Sequence, residues 1–117
     1  MAHNAGGALR QGVVDERLDA VWEFRTSPLF SDAERSALEY VIAAAAVPNA
    51  VTDELFAELK KHWDDGQIVE ITGLVSFFGF FNRWNDSLAT PLEDEPIAIA
   101  EKHIAKQGWA LGKHKPG

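Results

Sequence analysis

Apolar residues recur along this chain at helical spacing, and polar breaks divide them into segments. Val14, Leu18, Val21 and Trp22 fall at i, i+4, i+7 and i+8, which predicts one apolar helical face ending before Pro28. Ser31-Asp32-Ala33-Glu34 has the spacing of a capping box. Leu38, Val41 and Ile42 follow as its apolar stripe, Ala43 to Ala46 extend the helix, and Pro48 stops it. Thr52 reads as an N-cap with Asp53 and Glu54 in the first turn, and Leu55, Phe56, Leu59 and Trp63 form the face to be buried. Asp64, with Gln67 three residues on, caps a longer helix predicted over about Gly66 to Leu88. That segment is apolar on nearly every side through Ile68, Val69, Ile71, Leu74, Val75, Phe77, Phe78, Phe80 and Phe81, so it is expected to be a buried central helix. Thr90-Pro91 breaks it. Asp94 as N-cap and Pro96 in the first turn open a last helix, with Ile97, Ala100 and Ile104 inward and Gly108 as its stop. Gly112 to Gly117 reads as a flexible basic tail. β-Branched residues never alternate with polar ones over a useful length, so the expected class is all-α in a single domain over 1–117.

Composition narrows the partners. The 117 residues carry 18 acidic against 11 basic side chains, a net charge of -7. Such a surface repels phosphate backbones and anionic lipid, so neither nucleic acid nor a membrane is an expected partner. The apolar run from Ile71 to Phe81 is far shorter than the roughly 20 residues a spanning helix needs. Met1-Ala2-His3-Asn4 has no basic region followed by an apolar run, which points to a cytoplasmic protein. There is no cysteine, which removes disulfides, thiolate metal sites and thiol catalysis within these residues. No cofactor or metal motif is present either: the histidines lack the spacing of His-Glu-x-x-His, and there is no phosphate-binding glycine loop.

Among residues that carry chemistry, Glu70 precedes the apolar run and is expected at the rim of the core. There a carboxylate needs a partner or a shifted pKa. Asn82, Arg83, Asn85 and Asp86 form a polar cluster at the end of the long helix, read as a cross-helix or cross-subunit network with a substrate anchor as the sharper alternative. Gly73 and Gly79 within that helix suggest a closely approaching backbone. His62 reads as a helix-end residue, His103 as a surface residue, His114 as a tail residue without a role, and Glu93-Asp94-Glu95 as a solvated helix start.

Three blocks together resemble the carboxymuconolactone decarboxylase-like family, which includes the alkyl hydroperoxidase D (AhpD-like) proteins. They are Trp22 to Arg35 with its Ser27-Pro28-Leu29-Phe30-Ser31 centre, Val51-Thr52-Asp53-Glu54 through Glu70, and Phe81-Asn82-Arg83-Trp84-Asn85 through Glu93. The resemblance implies an AhpD-like helical domain and a homo-oligomer, trimer or hexamer. It also implies a family activity of peroxiredoxin-type alkyl hydroperoxide reduction by a Cys-x-x-Cys pair, with a histidine shortly after. His3 falls about where that histidine would lie and Gly12-Val13 matches the stretch that follows, so the cysteines would precede Met1 and the chain resembles a member cut at its motif. The resemblance therefore gives three expectations. The chain is an inactive or incomplete peroxidase, or a cysteine-free acid–base enzyme of the lactone decarboxylase type using His3 and Glu70, or a non-catalytic helical oligomer that binds a small apolar ligand. As part of an N-terminal arm, His3 is expected to be mobile.

Overall fold

The computed structural model describes Met1 to Pro116, and every described element is helical. In chain order these are α1 (Ala2–Arg10), α2 (Asp15–Asp19) running into a 3₁₀ turn over Ala20–Glu23, α3 (Asp32–Ala45), α4 (Asp53–Lys60), α5 (Asp65–Leu88) and α6 (Asp94–His103), followed by a 3₁₀ turn over Ala105–Gln107. The chain divides into two units, one formed by Met1–Glu23 with the residues from Asn85 on, the other by Phe24–Trp84. No described helix is long and apolar enough to cross a membrane.

Unit Phe24–Trp84 is set by its caps. Ser31 Oγ accepts from the Glu34 N–H at 3.1 Å while Glu34 Oε1 accepts from the Ser31 N–H at 3.2 Å, completing the capping box of α3. Thr52 Oγ1 accepts from the Leu55 N–H, and Asp64 and Gln67 bond reciprocally at the start of α5. Ser31→Ala removes the side-chain acceptor of the first box and is expected to lower unfolding free energy by about 1 kcal/mol. Urea titration with an unchanged m-value checks it; no shift in midpoint would mean water replaces the cap.

Between these caps, Tyr40, Leu59 and Ile68 from α3, α4 and α5 meet in the core, with Ala37, Ala44, Val51, Leu55, Trp63 and Ile71 around them. The polar atoms that enter are bonded. Thr72 Oγ1 donates to Ile68 O, so the Tyr40 hydroxyl is the donor in its 2.7 Å bond to Thr72. Trp63 Nε1 donates to Ala33 O. Arg35 donates to Phe24 O and Ser27 O and pairs with Asp32, fixing the turn ahead of α3; Arg25 forms a two-bond pair with Glu39.

Helix α5 is one helix, as the sequence predicts, but it is not buried within the chain. Ile68 is covered, and Ile71, Thr72, Val75 and Gly79 are half-covered, which is a single stripe at i, i+3, i+4, i+7 and i+11. The opposite face is equally apolar and faces outward: Phe77 is 57% exposed, Phe80 58% and Trp84 55%. Unit Phe24–Trp84 has only α3 and α4 to lay against it, so one stripe is all it can cover. The rings pack on one another instead, with Phe77 edge-on to Phe81 at 4.7 Å and Phe80 stacked near Trp84 at 6.0 Å. Gly73 has open space where a Cβ would stand, and Gly79 meets only Arg83 Nη1 at 3.7 Å, so no backbone of the chain closes on either.

The other unit is smaller in its side chains. Ala2 on α1 and Ala100 and Ile104 on α6 form its core, with Leu92 and Trp109 against them. Gly6 brings α1 close to α6: a Cβ there would lie 3.1 Å from Ile99 Cδ1. The sequence reading is corrected at five points here. His3 is inside helix α1 rather than on a mobile arm, because Ala2, Ala5 and Gly6 are buried behind it. The face expected through Val14, Leu18, Val21 and Trp22 does not form, since α2 tightens to a 3₁₀ turn at Ala20 and leaves Val14 and Trp22 exposed. Glu93, not Asp94, is the N-cap residue of α6, and Gly108, at φ +89°, closes the following 3₁₀ turn rather than α6. The segment Gly112 to Pro116 is tied down through His114; Gly117 lies outside the described residues.

Candidate functional site

The candidate site is a cleft of about 200 Å³ in the unit built from both chain ends, lined by Ala2, His3, Gly6, Arg10, Glu93, Glu95, Pro96 and Ile99. Helical spacing explains its walls. His3, Gly6 and Arg10 lie at i, i+3 and i+7 on one face of α1, and Pro96 and Ile99 are one turn apart on α6. The absent Gly6 side chain lets the Arg10 guanidinium fold over the floor, with Nη1 3.4 Å from the position a Cβ would take.

Two polar pairs flank the cleft. His3 Nε2 lies 2.8 Å from Glu93 Oε2, and Arg10 Nη1 lies 3.6 Å from Glu95 Oε1. The Glu93 carboxyl is held below the usual glutamate range, chiefly by its own backbone N–H and next by the His3 ring. An ionised carboxylate only accepts, so His3 donates from Nε2. In the neutral ring this leaves the lone pair on Nδ1, on a side chain 59% exposed. A carboxylate behind one ring nitrogen and an open lone pair at the other is an arrangement for taking up and returning a proton. It offers no nucleophilic thiol, since the sequence has no cysteine. Among the described residues no three histidine or acidic side chains converge in a metal-binding group.

Glu70 stands elsewhere, and its expected place at the core rim is corrected. It lies on α5, in the other unit, two residues from buried Ile68 and hence about 200° around the helix from it. It therefore points outward. It is exposed, which removes the reason to expect a partner. The sequence reading missed Glu93 as the partner of His3, and the Arg10–Glu95 pair on the same cleft. The i, i+7 spacing of His3 and Arg10 was the available signal, whereas the acidic run at 93–95 looked like an ordinary helix start.

His103 is a second correction. Its side chain is 1% exposed, not on the surface, with Nδ1 2.7 Å from Asp19 Oδ1. Nε2 is buried without a hydrogen-bond partner, 3.9 Å from Asp15 Oδ1. Lys102 bonds Asp15 at 2.9 Å, which lowers the Asp15 carboxyl pKa and raises that of the lysine. This cluster ties α6 to α2. His62 keeps its helix-end place, with its N–H on Leu59 O and its ring 3.7 Å from Glu58. The polar cluster after Phe81 is only partly a network. Asn85 accepts from Thr90 and Asp86 meets His114 and Lys113, while Arg83 is exposed on α5.

No family model matches the sequence. The chain is 41% identical over 86 residues to the uncharacterized protein YnjA of Escherichia coli (strain K12), across 74% of this chain and 47% of that protein. Two solved structures of the debrominase Bmp8 share the fold. A cysteine-to-alanine variant in complex with 2,3,4-tribromopyrrole superposes with a TM-score of 0.81, and the apo protein with 0.80. Both are 31% identical and cover 86% of this chain and 54% of theirs. The chain thus spans about half the length of the proteins it matches.

Proposed function

We propose that this chain is a carboxymuconolactone decarboxylase-like (AhpD-like) helical module whose own chemistry is proton transfer by His3, with Glu93 orienting the ring. The observation that carries this reading is the 2.8 Å bond between His3 Nε2 and Glu93 at the mouth of the cleft. The three sequence blocks and the 31% identity to a debrominase of the same fold support the lineage. In decarboxylation of a lactone carboxylate the C–CO2 bond breaks and CO2 leaves, the His3 imidazolium, stabilised by Glu93, gives its proton to the carbon that keeps the electron pair, and the ring takes a proton back from water. The cleft is below the usual 300–1,000 Å³ of drug-sized sites, so it suits a small ring such as a lactone or a halogenated pyrrole. Peroxide reduction needs a thiol that these residues do not supply, and would depend on one from outside them.

The test is turnover of a lactone carboxylate, of 2,3,4-tribromopyrrole with an added thiol, and of an alkyl hydroperoxide with an added thiol. Turnover of the lactone is expected, and His3→Gln is expected to reduce it about 10²- to 10⁴-fold. Glu93→Gln is expected to reduce it by a smaller factor. Lactone turnover that His3→Gln leaves intact, or no turnover of any of the three, overturns the reading.

A second reading concerns assembly, and the exposed rings of α5 favour it. A contiguous apolar face of this size on a soluble protein marks a contact surface. The stretch from Ile71 to Asn82 carries no charge to oppose its copy despite the net -7, and the open position at Gly73 leaves room for a facing backbone. The occupant we assign is a second copy of this chain.

A further inference from the structure

His114 stands where the C-terminal segment crosses the linker between α5 and α6. A carbonyl oxygen only accepts, so His114 Nδ1–H donates to Thr90 O, at 2.7 Å. On the other edge of the ring, Nε2 lies 3.3 Å from Asp86 Oδ1 in the last turn of α5, and Lys113 Nζ lies 3.8 Å from the same oxygen. The main chain adds a third tie, the Leu92 N–H donating to His114 O at 3.1 Å. The Thr90 N–H also donates to Asn85 O and its hydroxyl to Asn85 Oδ1. Leu92 packs its side chain on the cluster that contains Ala2, the neighbour of His3. Ala89 ahead of it takes the left-handed φ of +51°, a conformation that a residue with a Cβ holds only when its surroundings fix it. The residue that follows this clamped linker is Glu93.

We propose that His114 is a positioning residue for the cleft: by gripping the Thr90–Leu92 linker it sets where Glu93 meets His3. The inference rests on the reading of His3 and Glu93 as the working pair. It gives the C-terminal segment a task that its composition does not suggest. Without the ring, the linker keeps its bonds to Asn85 and the main-chain bond from Leu92 to His114 but loses the side-chain ties to Thr90 O and Asp86, and the Glu93 carboxylate is free to swing away from the imidazole.

The experiment follows the Glu93 side-chain carboxyl by ¹³C NMR across an acid titration of the full chain. In the wild type its midpoint is expected below that of an ordinary glutamate, and His3→Gln is expected to raise it. His114→Ala is expected to raise it as well, with the protein still folded by circular dichroism. His114→Asn places an amide donor where Nδ1 stood, without a charge, and is expected to restore the wild-type midpoint. If the alanine variant unfolds, His114→Leu fills the space of the ring without a donor and takes its place. A midpoint that stays put in the alanine or leucine variant overturns the proposal. A midpoint that rises equally in His114→Asn also overturns it, since the effect is then loss of charge and not of the clamp. A wild-type midpoint at the ordinary value that His3→Gln does not move removes the His3–Glu93 pair itself.

Discussion

Leu59→Ala is expected to cost about 2–5 kcal/mol of stability, the range for emptying a fully buried leucine site. Leu59 is the one large side chain among the described residues with no exposure at all, and it sits between Tyr40 of α3 and Ile68 of α5. Its neighbours cannot collapse into the space freely. Tyr40 is held by its hydroxyl on Thr72, and Trp63 by its ring N–H on Ala33 O, so both rings are fixed at the edges of the gap. Domains of this size hold only about 5–15 kcal/mol in total, so the loss is a large fraction of it. Urea unfolding followed by tryptophan fluorescence reads the change. A loss below about 1 kcal/mol would mean that the α3–α4–α5 junction is not the core of its unit.

The second large effect is expected on association. Phe77→Asp with Phe80→Asp places two carboxylates in the middle of the outward face of α5. Aromatic anchors at the centre of an interface each cost about 2 kcal/mol or more when removed, roughly a 30-fold loss of affinity apiece. Because both rings are more than half exposed in the single chain, the fold itself is expected to tolerate the change. Analytical ultracentrifugation should find the wild type as a dimer or larger and the double variant as a monomer with an unaltered helical spectrum. A wild type that is monomeric at micromolar concentration, or a variant that sediments like the wild type, removes the self-association reading.

The helix boundaries were legible in the sequence where a cap announces them. Ser31 with Glu34, Thr52, and Asp64 with Gln67 each start a helix within a residue of the position their spacing predicts, because these bonds are local and need no tertiary partner. The identity of α5 as one long helix was legible for the same reason. Its burial was not. Periodicity reports that a face wants cover, never what covers it, and α5 has one stripe served within the chain and one left outside. His3 was legible as a candidate through the family resemblance, but its partner was not, since Glu93 reaches it across most of the chain. His103 escaped because a histidine in a last turn suits a surface role; the better clue was its place beside Ala100 and Ile104 on the inward face of α6. His114 escaped because the residues around it, glycine, lysine and proline, describe a frayed end, and nothing local reveals a carbonyl acceptor contributed by Thr90.

The uncharged outer stretch of α5 sets how any contact made there responds to its surroundings. With no ion pair to screen between Ile71 and Asn82, dilute sodium chloride has little to weaken, whereas sulfate, excluded from apolar surface, tightens the contact. Chilling works the other way, because the attraction between apolar surfaces fades as water cools. A preparation kept on ice would therefore come apart along this helix more readily than the same preparation at the bench.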